Sequence, residues 1–153
     1  LAVRYYDDFF SRHLDSLPSK TDPFKSGRPG KPIRVLDREF GRTEVFDSGT
    51  NRGIGMRMEG LLHLSRPGIY RFQALSNDGI RVYLDGRRII DDPDVHGNRL
   101  SDIATVEIAN PGWHPLKVEY FQRKGTAAIM LYWQPPESSA LSIIPAQAYG
   151  HIP

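Results

Sequence analysis

From Gly55 to Trp133 apolar and polar residues alternate with a period of two, interrupted at short intervals by glycine, proline, asparagine and aspartate. The clearest stretch is GIYRFQALSNDGIRVYLDG, residues 68–86. In it Tyr70, Phe72 and Ala74 alternate with Arg71 and Gln73, and Ile80, Val82 and Leu84 with Arg81 and Tyr83. That is the period of antiparallel strands with one face on a core and the other in water. The pattern predicts strands at 56–64, 69–75, 80–84, 87–90, 103–108, 114–121 and 128–133, following one another at hairpin spacing. No helix intervenes, so the expectation is an all-β antiparallel sandwich or barrel. The connections carry suitable turn chemistry: Pro67-Gly68, Asn110-Pro111-Gly112 and Lys124-Gly125, with Asp85-Gly86 as a type I′ hairpin signal.

The start of the chain is less regular. Phe9, Phe10, His13, Leu14 and Leu17 recur at helical spacing until Pro18, which predicts a short helix. Residues 19–32 turn to Pro, Gly, Ser and Lys and read as a long exposed loop, and an edge strand is expected at 43–46. Within the β-rich part the longest connection is 91–102, DDPDVHGNRLSD, a polar, carboxylate-rich loop of the kind that often carries function.

A chain of 153 residues is one domain of ordinary size, and its start at Leu1 rather than methionine suggests a piece cut from a longer protein. The absence of cysteine removes disulfides, thiolate zinc sites and thiol nucleophiles but leaves the compartment open. No apolar run approaches the roughly 20 residues of a membrane span, so no membrane insertion is expected. The net charge of +2 comes from 20 Lys and Arg against 18 Asp and Glu, interspersed throughout. Arg87-Arg88 and the looser set Lys25, Arg28, Lys31 and Arg34 read as solvated loops, so nucleic acid is not expected as a partner.

Candidate chemistry is sparse. Ser76-Asn77-Asp78-Gly79 holds more polarity than a turn needs, and reads either as a cation site or as a polar turn in which Asp78 accepts from the backbone. Asp91, Asp92, Asp94 and His96 could frame a metal or ligand or lie in a solvated loop; their spacing fits neither an EF-hand nor a zinc histidine pair. Most of Trp113, Tyr120, Phe121, Tyr132 and Trp133 are assigned to the core with Met56 and Met58, while Tyr83 stands on a polar face as the candidate exposed ring. Glu59, Glu107 and Glu119 are assigned to solvent faces of strands, and no nucleophile elbow, zincin motif or phosphate loop occurs. No catalytic residue is expected.

MRMEGLLHLSRPGIYRFQALSNDGIRVYLDGRRIIDD resembles the central signature of the protective-antigen (PA-fourteen) domain family, found in an anthrax toxin component, yeast flocculins and adhesins, and insertions in bacterial β-glucosidases. HPLKVEYFQRKGTAAIMLYW resembles its closing hairpin, His96-Gly97 its His-Gly loop and LAVRYYDDF its opening strand, while residues 10–54 match poorly. The resemblance implies a non-catalytic β-sandwich that, in lectin members, binds sugar through calcium held by two consecutive aspartates joined by a cis peptide. Those positions are Asn77 and Asp78 here, so a neutral amide replaces one carboxylate and weaker calcium binding is expected. A second ligand loop corresponds to residues 122–126, with Gln122 at or beside an asparagine position and the cations Arg123 and Lys124 next to it. The resemblance thus implies Asn77, Asp78 and Gln122 as calcium ligands, with His96, Arg123 and Lys124 at the ligand site. The implied partner is a glycan or polysaccharide, and the implied location is extracellular, cell-surface or periplasmic. The alternative is a protein-interaction or spacer domain that has lost metal and sugar binding.

Overall fold

The computed structural model describes residues 1–18 and 27–152. In chain order its strands are β1 (Ala2–Tyr6), β2 (Arg28–Pro29), β3 (Asp37–Gly41), β4 (Ile54–Leu64), β5 (Gly68–Asn77), β6 (Ile80–Leu84), β7 (Arg87–Asp92), β8 (Arg99–Leu100), β9 (Ala104–Ile108), β10 (Gly112–Gln122), β11 (Ala127–Gln134), β12 (Ser142–Ile143) and β13 (Tyr149–Gly150). Single 3-10 turns occur at Leu14–Ser16 and Ala146–Ala148. Among the described residues the strands form two antiparallel sheets. The first runs β2-β1-β4-β10-β6-β7 with β13 also on β4, and the second runs β12-β11-β5-β8 with β3 on β11 and β9 on β5. The expected β-sandwich is therefore present.

The inward faces follow the alternation. Val118 pairs with Met58 on one side and Val82 on the other, and this row meets Tyr70, Phe72, Ala74, Ile129 and Leu131 of the second sheet, all at most 1% exposed. Each of the larger of these side chains contributes about 1.5–3 kcal/mol by leaving water.

Hairpin spacing is a poor guide to the pairing. The β6–β7 hairpin forms as expected, with Asp85 at φ 52° and Gly86 at φ 78°, both in the left-handed region that a type I′ turn needs. In contrast β4 to β5, β5 to β6, β9 to β10 and β10 to β11 each cross from one sheet to the other, so the expected closing hairpin of β10 and β11 is a crossover. Period-two alternation fixes a strand's faces but not its neighbour.

Three further expectations are corrected. The helix over residues 9–17 reduces to the Leu14–Ser16 turn, because Phe9 N–H bonds Gly53 O at 2.8 Å and His13 caps the turn by accepting from Asp15 N–H at 2.9 Å. The apolar residues still pack, and Tyr6, Phe9, Leu14, Leu17 and Phe121 form a second cluster on the outer face of the first sheet. The edge strand lies at β3 rather than 43–46, since Gly41 at φ 56° ends its pairing with β11 and Thr43 N–H turns back to Phe40 O. Glu119 does not face solvent: covered by that second cluster, it accepts from buried Arg57 at 2.7 Å, and Arg57 also donates to Tyr6 Oη and Pro18 O. Of the long loop expected at 19–32, residues 19–26 lie outside the described residues and Arg28–Pro29 is strand.

Candidate functional site

The chain passes from the second sheet to the first at Asn77-Asp78-Gly79, and the peptide between Asn77 and Asp78 is cis. Backbone on both sides fixes this crossing: Asp78 N–H donates to Phe121 O at 3.0 Å, and Phe121 N–H donates to Gly79 O at 3.1 Å. Tyr120, fully buried as expected of a core ring, uses its hydroxyl to donate to Asn77 O at 2.6 Å. Gly79 is required by crowding, since a Cβ there would stand 2.6 Å from both the Phe121 ring and the Pro93 backbone. The SNDG polarity is thus built into the interior, with Ser76, Asn77 and Asp78 all under 5% exposed.

Two loops meet this crossing. The β7–β8 loop, 93–98, brings His96 N–H to Asp78 Oδ1 at 3.2 Å and Asn98 Oδ1 to Asn77 Nδ2 at 3.0 Å. The β10–β11 loop, 123–126, brings Arg123 N–H to Asp78 Oδ2 at 2.7 Å and Thr126 Oγ1 to Asn77 Nδ2 at 2.9 Å. Burial pushes the Asp78 carboxyl above its ordinary pKa, opposed by the two backbone donors. Gln122 is fully buried; its Nε2 donates to Gly125 O at 3.0 Å while its Oε1 has no hydrogen-bond partner.

The expected site residues separate by role. Asn77 and Asp78 form the crossing, and Gln122 lies between Phe121 and Arg123, whose backbone groups bond Asp78. His96 and Arg123 reach Asp78 through their backbone, not their side chains. The His96 ring turns away, with Nδ1 2.7 Å from Gly97 O and Nε2 3.1 Å from Asp92, while Arg123 Nε donates to Phe10 O at 3.0 Å. Lys124 is exposed on the loop. Of the acidic set 91–96, Asp91 pairs with Arg81, Asp92 with Arg99 and His96, and Asp94 lies 3.7 Å from His13. Asp91 and Asp92 are thus engaged in ion pairs with arginines, and the Asp94 contact ties its loop to His13. Asn98 carries no local signal in the sequence, where it is one polar residue in a polar loop.

Asp78, Asn77, Gln122 and Asn98 offer oxygen ligands with one carboxylate, a donor set for a hard cation such as calcium. Among the described residues no group of three His, Cys, Asp or Glu side chains could hold a metal. No helix of the described residues is long and apolar enough to cross a membrane.

No curated protein matches the chain in sequence. Solved structures match in fold. An anti-sigma factor domain-containing protein from Clostridium clariflavum superposes with a TM-score of 0.75 at 18% identity over 97% of this chain, which spans 45% of that one. A PA14 sugar-binding domain from an RTX adhesin gives 0.59 at 16% identity, covering 99% of this chain and 98% of that one. The epithelial adhesin 9 A domain from Candida glabrata, in complex with Galβ1-4GlcNAc, gives 0.66 at 12% identity, covering 99% and 88%. The PA14 domain family model matches residues 36–146, which hold β3 to β12, the cis crossing and the two loops that meet it. With most of its length accounted for in this way, the chain belongs to the PA14 domain family.

Proposed function

We propose that this chain is a non-catalytic carbohydrate-binding module of a cell-surface or extracellular protein, with its glycan site at the Asn77-Asp78 crossing. The observation that carries the reading is a buried charge without a counter-charge and a buried acceptor without a donor on neighbouring segments of the chain. The Asp78 carboxylate is buried without an ion pair, and the Gln122 Oε1, from the residue between the two that bond Asp78, is buried without a donor. Buried charge and buried acceptors left without partners cost free energy, and a bound cation satisfies both. Asp78, Asn77 and Gln122 are the residues that would hold calcium. Calcium bound there would supply open coordination positions for sugar hydroxyls. The backbone donors of His96 and Arg123 fix the carboxylate's orientation, and Tyr120 ties the turn to the core. Sugar-binding relatives of the same fold support this choice.

One observation favours a second reading, a protein-interaction or spacer domain. The Asn77 amide already donates to Asn98 and Thr126, so its hydrogens join the two loops without a metal.

Thermal unfolding of chelator-stripped protein with added calcium separates the two. At about 100 times the dissociation constant, calcium stabilises by roughly 2.7 kcal/mol, a rise in Tm of about 5–10 °C for a chain of this size. The rise is expected in the native protein and absent in Asp78→Ala. No rise at millimolar calcium in either protein would sink the calcium site and favour the spacer reading.

A further inference from the structure

The outer face of the first sheet carries a second feature, at the other end of β10. Trp113 and Gln122 are nine residues apart on that strand, roughly 30 Å. Trp113 is 51% exposed although it sits in a strand. Its ring is nonetheless fixed: it leans across the ladder onto His63, with ring centroids 4.7 Å apart, and rests on Gly150, where a Cβ would stand 2.8 Å from its Cζ3. A glycine at that position lets the indole lie close against the sheet, leaving half its surface open.

Beside it runs a groove of about 290 Å³ lined by Glu59, Tyr83, Pro115, Lys117 and Ile152. Pro115 and Lys117 follow Trp113 along the same face of β10, so ring and groove lie along one face within roughly 13 Å. Lys117 pairs with Glu59 in register, yet its Nζ stands 4.2 Å from the centroid of the Tyr83 ring. Among the described residues the Glu59 carboxylate has neither an ion pair nor a hydrogen bond, and it faces the groove.

We infer that this face is a second, metal-independent glycan-binding surface, taking a neutral, extended sugar chain that stacks on Trp113 and hydrogen-bonds Glu59. The chemistry selects that ligand. Sugar C–H faces suit the electron-rich face of an indole, and sugar hydroxyls supply the donors a bare carboxylate lacks. One acid and one base in the groove give no net charge to attract a charged polymer. The apolar residues Trp113, Pro115 and Ile152 are interrupted by His63, Glu59 and Lys117, which breaks up the continuous apolar patch a protein partner would need.

The test is affinity electrophoresis through gels containing mixed-linkage β-glucan, xylan or galactan, with chelator present throughout. At least one polysaccharide is expected to retard the native protein and Asp78→Ala alike. Trp113→Ala should bind about tenfold more weakly, Trp113→Phe should fall between, and both should keep native circular dichroism. Retardation of none of the three, or equal retardation of Trp113→Ala, overturns the inference. So does a dimer in sedimentation that Trp113→Ala dissociates, which would assign the face to a second copy of the chain.

Discussion

Glu119 and Asp78 are buried acids and Glu59 a half-buried one, and each is met by its surroundings in a different way. Glu119 is paired with the Arg57 guanidinium, two of whose N–H groups reach its Oε2, Asp78 is hydrogen-bonded by backbone N–H groups alone, and Glu59 has neither. Glu59 therefore registers its burial most directly, and its pKa lies above the ordinary 4.5 because burial outweighs the attraction of Lys117 and Arg57. The folded state then holds the Glu59 proton to higher pH than the unfolded chain does. Its contribution to stability is fully present below pH 4.5 and is lost as pH rises through the folded pKa. Glu59→Gln removes the ionisation without removing a partner. Its Tm is expected to exceed that of the native protein at pH 7 and to converge with it below pH 4.5 in a melting series. A Tm for Glu59→Gln below native at pH 7 would mean that the carboxylate has a stabilising partner.

At the scale of elements, residues 7–18 form a strap rather than a helix. It lays Phe9, Leu14 and Leu17 over Phe121 and reaches both site loops, through Leu14 N–H to Pro93 O at 3.1 Å and through the Arg123 bond to Phe10 O. Leu14 is 3% exposed, so Leu14→Ala is expected to cost about 2–4 kcal/mol in urea unfolding. A loss below about 1 kcal/mol would show that the strap is not packed as described. The strap also explains where sequence reading stopped. Its apolar residues were visible, but the cover they form over Arg57 and Glu119 joins positions far apart in the chain, so Glu119 read as a solvent-facing residue. The strands themselves were legible because their signal is local, the alternation in Tyr70, Phe72 and Ala74 and the Asp85-Gly86 turn. The family resemblance pointed to Asn77, Asp78 and Gln122, whereas nothing local in the sequence marks Asn98, whose bond with Asn77 forms only when the β7–β8 loop folds over the crossing.

At the scale of the molecule, the crossovers set what the chain can tolerate. Gly97 is exposed with open space around it, so a protease site introduced between Gly97 and Asn98 would be accessible. Cleavage there leaves β1 to β7 on one fragment and β8 to β13 on the other. Yet β10 lies between β4 and β6, and β11 lies against both β3 and β5. The fragments are expected to co-elute in gel filtration and to part only in denaturant; separation in native buffer would show that the connection, rather than the pairing, holds them. The domain is in this sense a weave, in which each half supplies the warp for the other, and a nicked copy would remain one folded body.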